Sequence, residues 1–337
     1  MTEPQEETRM RAVVIEKFGE PENVLISADR PAPEPGHGEV RIKLILAPIH
    51  NHDLATIRGV YGYKPTLPAI PGTEAVGRID ALGSGVTGLE VGQRVSVSGI
   101  HDAWAEQFVA NAGKVVPLPD SISDETAAQL LAMPLSALML LEDLRVVPGD
   151  WIAINAANGA VGRLVNVLAR QRGINVLNLV RGPASVAALQ EFGFEPVFDT
   201  ESERWLERAA AVTAGAPVVR AVDQVGGRSA DDLLSLLGPK GELISFGALS
   251  GLPLTINPGA LIFKQAIIKG FWGSMRAEQT SADELRLLIV ELVGMAASGV
   301  LRLDFEAVYP LEAAAEAAAA SETRGRSAKI ALSAEPA

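Results

Sequence analysis

The feature that most constrains the fold is a strand, a glycine turn and a helix in direct succession, WIAINAANGAVGRLVNVLARQRG over residues 151–173. The turn has the spacing Ala157-x-Gly159-x-x-Gly162, with alanine at the first of three positions that are usually glycine. Glycines here let the backbone approach a pyrophosphate, and the free N–H groups at the start of the helix hold the anion. The segment therefore predicts dinucleotide binding, with a purely structural strand–helix turn as the alternative.

The same half of the chain repeats this alternation of apolar strands with helices or loops. Runs of strand character lie at 151–157, 175–180, 218–225, 242–247 and 266–272. Continuous apolar strands of this kind are typical of a parallel sheet that is covered on both faces. We predict a doubly wound, Rossmann-type α/β domain over 123–299, with a first helix that runs from Ser121 toward Asp143.

The N-terminal third has a different rhythm. From Arg11 to about Pro119, short β-rich runs such as VRIKLILAPI and QRVSVSG are separated by closely spaced glycines and prolines, which predicts an all-β unit, a barrel or a sandwich. Strand signals return after Ser298, on either side of an Ala-rich helix. We predict a β-rich domain over 11–122 and 300–332, preceded by a disordered leader over 1–10.

Composition excludes several classes of function. The chain has 29 Lys+Arg against 41 Asp+Glu, a net charge of −12, which argues against a nucleic-acid surface. It has no Cys, which excludes disulfides, iron–sulfur clusters, thiol nucleophiles and Cys-containing zinc sites. No apolar run approaches the ~18 residues of a membrane span. We predict a soluble, cytoplasmic protein with no membrane or nucleic-acid partner.

The end of the second strand predicts which dinucleotide binds. A cofactor with a free ribose 2′-OH normally meets Asp or Glu at this point, whereas this chain offers Arg181. A guanidinium is permanently charged and binds a phosphate bidentately, so Arg181 favours NADPH, and Ser185 could add a neutral hydrogen bond. The alternative is a solvated surface arginine.

A β-rich N-terminal half, a late nucleotide fold and a C-terminal return strand together resemble the medium-chain dehydrogenase/reductase superfamily, over about residues 10–332. The resemblance implies a GroES-like fold for the β-rich domain. It also implies that the Gly-His-Glu triplet of the zinc-dependent branch corresponds to Gly72-Thr73-Glu74, and that His50 occupies the position of its first zinc cysteine. His50, His52, Asp53 and Glu74 could in principle bind a metal, but without cysteine we predict no catalytic zinc.

Three segments are similar to the mitochondrial-type 2-enoyl thioester reductases within the zinc-free branch: GVYGYKPTLPAIPGTEAVG (59–77), NAANGAVG (155–162) and ALIFKQAIIKGFW (260–272). Quinone oxidoreductases are similar too. The resemblance places the proton-donating tyrosine at Tyr61, with a wall residue as the alternative. It also implies that Asp53 lies in the substrate site and that Trp272 lines the acyl pocket, with core packing as the alternative for Trp272. It departs from the family at Ala55, where the family has Asn after Asp-Ile.

The predicted cofactor site draws on the glycine turn, the second strand end and the two later strand ends, and comprises Asn155, Ala157, Asn158, Gly159, Ala160, Val161, Gly162, Arg181, Phe246, Gly247, Phe271 and Trp272. Other candidates are weaker. Tyr63 and His101 are more simply surface residues, and Lys264 and Arg276 could meet an acidic carrier or be solvated charges.

These observations predict an NADPH-dependent reductase of an activated C=C double bond, most simply that of a 2-enoyl thioester. The alternatives are an NADPH:quinone oxidoreductase and, in another class, a non-catalytic nucleotide-binding protein. The apolar last strand near AIIKGFW would be a vulnerable edge unless it is paired, which predicts a homodimer through the nucleotide domains.

Overall fold

A computed structural model describes residues 8–323, 325–326 and 328–335 of the chain. The strands are β1 (Arg9–Val14), β2 (Ile26–Pro31), β3 (Glu39–Pro48), β4 (Glu74–Leu82), β5 (Arg94–Ser98), β6 (Gln107–Asn111), β7 (Val115–Pro117), β8 (Trp151–Asn155), β9 (Asn175–Val180), β10 (Val197–Asp199), β11 (Val218–Asp223), β12 (Leu237–Ser245), β13 (Ile267–Gly270), β14 (Phe305–Pro310) and β15 (Lys329–Ser333).

The α-helices are α1 (Pro21–Val24), α2 (Asn51–Ile57), α3 (Asp124–Ala128), α4 (Met133–Leu144), α5 (Ala160–Gln171), α6 (Pro183–Glu191), α7 (Trp205–Val212), α8 (Ser229–Leu236), α9 (Pro258–Lys264), α10 (Gly273–Gln279), α11 (Ala282–Ala297) and α12 (Ala314–Glu322). Short 3₁₀ turns lie at Ala112–Lys114 and Leu311–Ala313. The described residues divide into two compact units: one runs up to Ala132 and resumes at Ile289, and the other is Met133–Leu288.

The second unit contains a six-stranded sheet in the order β10-β9-β8-β11-β12-β13, with every neighbouring pair parallel. In order of appearance along this unit the strands lie 3-2-1-4-5-6, the order of a doubly wound nucleotide-binding sheet. The apolar strand residues pack against α8 through Ala230, Leu233 and Leu234, which are inaccessible to solvent. The predicted Rossmann-type fold is confirmed.

The first unit is β-rich, as predicted. A seven-stranded sheet runs β14-β15-β3-β4-β5-β7, with β6 paired to β3, and β1 and β2 form a separate antiparallel pair. Buried residues alternate with more exposed ones along β6. Trp104 and Phe108 are among the largest fully buried side chains in the core of this unit. The Ala-rich segment forms helix α12, which presents small side chains to this core.

Two local predictions are wrong. Strand β1 begins at Arg9, so residues 9 and 10 do not belong to a disordered leader, and residues 1–7 lie outside the described part of the chain. The single helix predicted from Ser121 toward Asp143 is two helices, α3 and α4. Helix α3 is capped by Ser123, two residues after the predicted start, since the Ser123 hydroxyl accepts a hydrogen bond from the Thr126 backbone N–H.

Candidate functional site

In the second unit, the glycine turn joins β8 to α5 with an open helix N-terminus. Gly159 is the N-cap residue, its backbone is extended, and no side chain caps the helix. The first N–H groups of an α-helix have no partner within the helix, so they face outward as donors. A Cβ atom on Gly162 would lie 2.5 Å from the carbonyl oxygen of Ala157, whereas one on Gly159 would lie 3.1 Å from that of Ala156. Gly162 is therefore required for close packing of helix on strand, which brings Ala157, Ala160 and Val161 to the same turn.

The end of β9 presents an exposed cation. Arg181 is exposed, and among the described residues it forms no hydrogen bond or ion pair. The following Gly182 has φ +78°, and its N–H donates to Asp199 Oδ1 at 2.8 Å. Asn158 in the glycine turn donates its amide to Ser185 Oγ at 3.3 Å, which links the turn to α6. Arg181 and Ser185 thus follow the carboxyl end of the strand beside the glycine turn, where the 2′ substituent of a dinucleotide is recognised.

A buried polar network joins the ends of β8 and β11, the two strands at which the strand order reverses. The Asn155 amide nitrogen donates to Asp223 Oδ1, and Asn155 Oδ1 accepts from the Gln224 backbone N–H at 2.7 Å. Asp223 is inaccessible to solvent and also accepts from the Gly226 N–H at 3.1 Å. Asn155 is 4% exposed, so the structure uses its side chain to shape this end of the sheet rather than presenting it to solvent.

The ends of β12 and β13 bring together the remaining predicted cofactor residues. The rings of Phe246 and Phe271 stack with centroids 5.7 Å apart. A Cβ atom on Gly247 would lie 2.7 Å from the Gln224 carbonyl oxygen, so glycine is needed for this close approach. Trp272 follows directly at the N-cap of α10 and is 45% exposed. All the predicted cofactor residues therefore lie at the carboxyl ends of the parallel strands or in the turns that follow them.

In the first unit, a cluster of ionisable side chains surrounds the start of α2. His50 Nε2 lies 2.8 Å from Glu74 Oε2, and His50 Nδ1 lies 3.1 Å from Lys329 Nζ. An ammonium group can only donate, so Nδ1 accepts and Nε2–H donates to the carboxylate. Burial and the Lys329 charge hold the pKa of His50 well below its ordinary value, which keeps the imidazole neutral.

Glu74 is inaccessible to solvent, and its second carboxylate oxygen accepts from the backbone N–H groups of Leu131 and Ala132, each at 2.7 Å. Burial raises the pKa of Glu74 to about 7, and these two hydrogen bonds limit the rise. The carboxylate thus ties β4 to the chain that follows α3.

Asp53 and His52 form a second chain of hydrogen bonds beside the first. Asp53 Oδ2 accepts from the His50 N–H at 3.0 Å, and Asp53 Oδ1 accepts from the Thr73 hydroxyl at 2.8 Å. The Thr73 oxygen lies 2.7 Å from His52 Nε2. Asp53 is 2% exposed with both carboxylate oxygens engaged, so the predicted direct contact between Asp53 and substrate is not supported by its placement.

Tyr61 lies next to this chain. Gly59, with φ +73°, turns the backbone after α2, and the Tyr61 ring comes to rest 5.8 Å from the His52 ring between centroids. Tyr63, by contrast, is 40% exposed and stacks on His101 at 4.2 Å. The structure therefore places Tyr61, but not Tyr63, beside oriented acid–base groups.

Lys264 and Arg276, considered as contacts for an acidic carrier, have structural partners. Lys264 donates to the carbonyl oxygens of Leu234 and Ser235 at the end of α8, an arrangement that satisfies the last carbonyls of the helix. Arg276 pairs with Asp143 at 3.0 Å and with Glu284 at 3.3 Å.

Comparison with known proteins agrees with this architecture. The family model described as alcohol dehydrogenase GroES-like domain matches residues 36–120, and the one described as zinc-binding dehydrogenase matches residues 160–289. The mitochondrial enoyl-[acyl-carrier-protein] reductase of Bos taurus is 32% identical over 314 residues, which cover 91% of this chain and 84% of that protein. The chain belongs to the medium-chain dehydrogenase/reductase superfamily.

Two further similar proteins support the assignment to this superfamily. The human mitochondrial enoyl-[acyl-carrier-protein] reductase is 31% identical over 313 residues, 91% of this chain and 84% of that protein. The crystal structure of Escherichia coli quinone oxidoreductase complexed with NADPH has a TM-score of 0.87, is 27% identical, and covers 96% of this chain and 99% of that one.

The residues of this superfamily member do not fit a catalytic zinc. Both nitrogens of His50 face partners, an ammonium and a carboxylate, and the Thr73 hydroxyl is engaged by Asp53 and His52. In the described ranges, no group of three or more His, Cys, Asp or Glu side chains is placed to hold a metal ion. They do fit a dinucleotide, because the glycine cradle, the uncapped helix N-terminus and Arg181 lie at neighbouring strand ends. The same ranges contain no helix long and apolar enough to span a membrane.

The hydrogen bonds that connect the ionisable side chains around α2 are not predictable from the sequence. From sequence, the cluster residues His50, His52, Asp53 and Glu74 are predicted only as possible metal ligands. The sequence indicates neither the hydrogen-bonding link at Thr73 nor the contact with Lys329. Lys329 is 279 residues from His50 along the chain, and nothing local signals their contact.

Proposed function

We propose that this chain uses NADPH to reduce the C=C double bond of a 2-enoyl thioester. The observation that carries the proposal is its similarity to enoyl-[acyl-carrier-protein] reductases, at 31–33% identity over at least 81% of the length of each. Membership of this superfamily makes the chain an oxidoreductase. The exposed Arg181 and the placement of Tyr61 beside His52 agree with the proposal.

The cofactor would be held by three groups of residues. The N–H groups at Ala160, Val161 and Gly162 would hold the pyrophosphate, and Arg181 with Ser185 the 2′-phosphate. Phe246, Gly247 and Phe271 would flank the nicotinamide half, with Trp272 between it and the acyl chain. Asn155 would act indirectly, by fixing the loop after β11. A bound reduced nicotinamide supplies a hydride to the substrate.

Tyr61 is the proposed proton donor to the carbon adjacent to the thioester. Reduction of a conjugated double bond needs a proton at that carbon and a hydrogen bond to the charge that develops on the carbonyl oxygen. A phenol can provide either, and the half-buried Tyr61 side chain is accessible to a substrate. Asp53 would contribute through Thr73 and His52 rather than by touching the substrate.

The direct experiment measures NADPH oxidation by the purified protein with crotonyl thioester, with a simple quinone, and with no acceptor. Of these three mixtures, we expect rapid NADPH oxidation only in the one that contains the thioester. Oxidation with the quinone alone would favour the second candidate, an NADPH:quinone oxidoreductase, which is supported by the TM-score of 0.87 to Escherichia coli quinone oxidoreductase and by Ala55 at the family's Asn position. Cofactor binding without oxidation in any mixture would favour a non-catalytic protein.

We also propose that the chain forms a homodimer through its second unit. Strand β13 is at the edge of the six-stranded sheet, and large apolar side chains are exposed on it and on the preceding helix α9: Ile262 at 65%, Phe263 at 88% and Ile267 at 52%. Apolar edges of this kind are usually covered or paired. A cytoplasmic location, and the lack of nucleic-acid and membrane partners, remain proposals that rest on composition and a net charge of −12.

A further inference from the structure

The hydrogen-bond chain that ends at His52 fixes which nitrogen of this imidazole carries a proton. The Thr73 hydroxyl donates its single proton to Asp53 Oδ1 at 2.8 Å, so toward His52 Nε2, at 2.7 Å, the Thr73 oxygen can only accept. The neutral imidazole therefore carries its proton on Nε2 and leaves Nδ1 as a basic nitrogen. In many active sites a carboxylate orients a histidine base by a hydrogen bond; here the Asp53 carboxylate orients His52 through the Thr73 hydroxyl.

The side chain of His52 is partly exposed to solvent and lies next to the ring of Tyr61. The side chain of His52 is 22% exposed, whereas those of Asp53 and Glu74 are fully buried. One face of its ring stacks on neutral His50, with centroids 4.8 Å apart and planes 11° apart, and the ring also contacts Tyr61. The charged groups around this pair are Asp53 on α2, Glu74 on β4 and Lys329 on β15, with His101 further out near Asp53. His52 is thus an oriented imidazole that is partly exposed to solvent and whose ring lies 5.8 Å from that of the proposed proton donor.

We infer that His52 is a positioning residue that returns a proton to Tyr61 after each turnover. This inference rests on the proposed function of Tyr61. The Tyr61 O–H bond breaks as its proton forms the new C–H bond beside the thioester carbonyl, and the hydride at the neighbouring carbon would come from a bound reduced nicotinamide. The Nδ1–H bond of the His52 imidazolium then breaks and the phenol O–H bond re-forms. Neutral His52 becomes this imidazolium by taking up one solvent proton (H₃O⁺ to H₂O) through its exposed edge, so each cycle consumes one hydride and one solvent proton and returns both side chains to their starting states.

Two substitutions separate proton return from a structural role. His52→Gln keeps an amide N–H near the Nε2 position that can donate to Thr73, but it has no titratable nitrogen. His52→Ala removes the N–H donor as well as the titratable nitrogen, and it leaves space for added imidazole. We expect kcat to fall about 10²-fold in both variants, the usual size of an acid–base contribution, and imidazole to restore activity to His52→Ala but not to Tyr61→Phe. Wild-type kcat in His52→Gln would overturn the inference, because it would show that only the contact with Thr73 matters.

An NMR measurement tests the same inference without turnover. The chain has four histidines, so their imidazole ¹⁵N signals can be assigned one variant at a time. We expect neutral His52 to be the Nε2–H tautomer, Thr73→Val to mix its tautomers, and Tyr61→Phe to shift its Nδ1 signal. Tyr63→Phe is the matched control, since it removes a hydroxyl from the other tyrosine–histidine pair and should shift only His101.

The outcomes of the kinetic and NMR experiments distinguish failure of the proton-return inference from failure of the proposed function. An Nδ1–H tautomer, or no response of His52 to Tyr61→Phe, would overturn the inference even in an active reductase. If no acceptor is reduced by the wild type, the proposed function is wrong and the proton-return step is wrong with it, whatever tautomer is observed.

Discussion

His50 Nε2 lies 2.8 Å from Glu74 Oε2, and both side chains are almost completely buried. With Lys329 on the other side of the ring, they form a line of ammonium, neutral imidazole and carboxylate. This line makes the first unit sensitive to the protonation of one carboxyl group.

The first prediction concerns the pH dependence of stability. A glutamate has an ordinary pKa of 4.5, and burial raises the pKa of Glu74 to about 7 in the folded state. Between these values the folded protein holds a proton that the unfolded chain has lost, so this group's contribution is complete below about pH 4.5 and is lost as the pH rises through about 7. The free energy of unfolding should fall across this window by up to a few kcal/mol.

Denaturant unfolding of the wild type and of Glu74→Gln, at pH values from about 4.5 to about 8, measures this contribution. Gln has no titrating group, so the variant should lose this part of the slope while keeping the contributions of other groups. Parallel curves for the two proteins would show that Glu74 titrates in the folded state as it does in the unfolded chain.

The second prediction concerns Tyr61. Tyr61→Phe removes one hydroxyl and little volume, so NADPH affinity should be unchanged while kcat falls by ~10²-fold or more. Tyr63→Phe is the control, since Tyr63 stacks on His101 and not on His52. If Tyr61→Phe turns over at the wild-type rate, Tyr61 only forms a wall of the site.

The third prediction concerns the choice of cofactor. The glycine turn binds a pyrophosphate that NADH and NADPH share, so the preference for NADPH should depend on Arg181. A guanidinium–phosphate contact contributes roughly 1.5–3 kcal/mol, or about 10- to 150-fold in affinity. Comparison of kcat/KM for both cofactors in the wild type and Arg181→Ala measures it. Equal use of both cofactors by the wild type would contradict an NADPH preference. If the preference for NADPH is unchanged in Arg181→Ala, Arg181 is not its source.

The fourth prediction distinguishes packing from binding in the glycine turn. Gly162→Ala should lower both stability and NADPH affinity, because its Cβ would lie 2.5 Å from a backbone oxygen. In helix α11, Gly294 has nothing within 4 Å of the corresponding position. Gly294→Ala should therefore leave binding unchanged and stabilise the protein by up to about 1 kcal/mol. Thermal unfolding and cofactor titration of both variants provide the comparison; equal stability of the wild type and Gly162→Ala would contradict the packing argument.

The fifth prediction concerns oligomeric state. A charge at the 88%-exposed Phe263 should disrupt a dimer that pairs the β13 edges, so Phe263→Asp should be monomeric in light scattering at micromolar concentration. Val60→Asp is the control, because Val60 is also exposed, at 74%, but belongs to the first unit. A monomeric wild type would refute the proposed dimer.

The sequence was most informative where structure is determined locally. The order strand, Gly159, Gly162, helix predicts a nucleotide-binding sheet because backbone sterics and helix N–H groups act within a few residues. The sequence does not predict the break between α3 and α4, because Leu130–Ala132 are apolar or small and suit a helix. There, the Leu131 and Ala132 N–H groups bind Glu74, a tertiary contact that spans 57 residues in sequence.

The candidate site was predictable in part for the same reason. Arg181 and Tyr61 follow elements that the sequence signals clearly. The roles of Asp53 and His52 depend instead on the Thr73 hydroxyl, 20 and 21 residues away, and on the stacking of His52 against His50. Residue types alone cannot distinguish a metal site from a hydrogen-bond chain built of the same side chains.

The central claim is that this chain adds a hydride and a proton across the double bond of an enoyl thioester. Mass spectrometry of the product formed from crotonyl thioester and unlabelled NADPH in deuterated water tests it most directly. The account predicts butyryl thioester that carries one deuterium from solvent, on the carbon beside the thioester carbonyl. Unchanged crotonyl thioester, or a butyryl product without deuterium at that carbon, would contradict it.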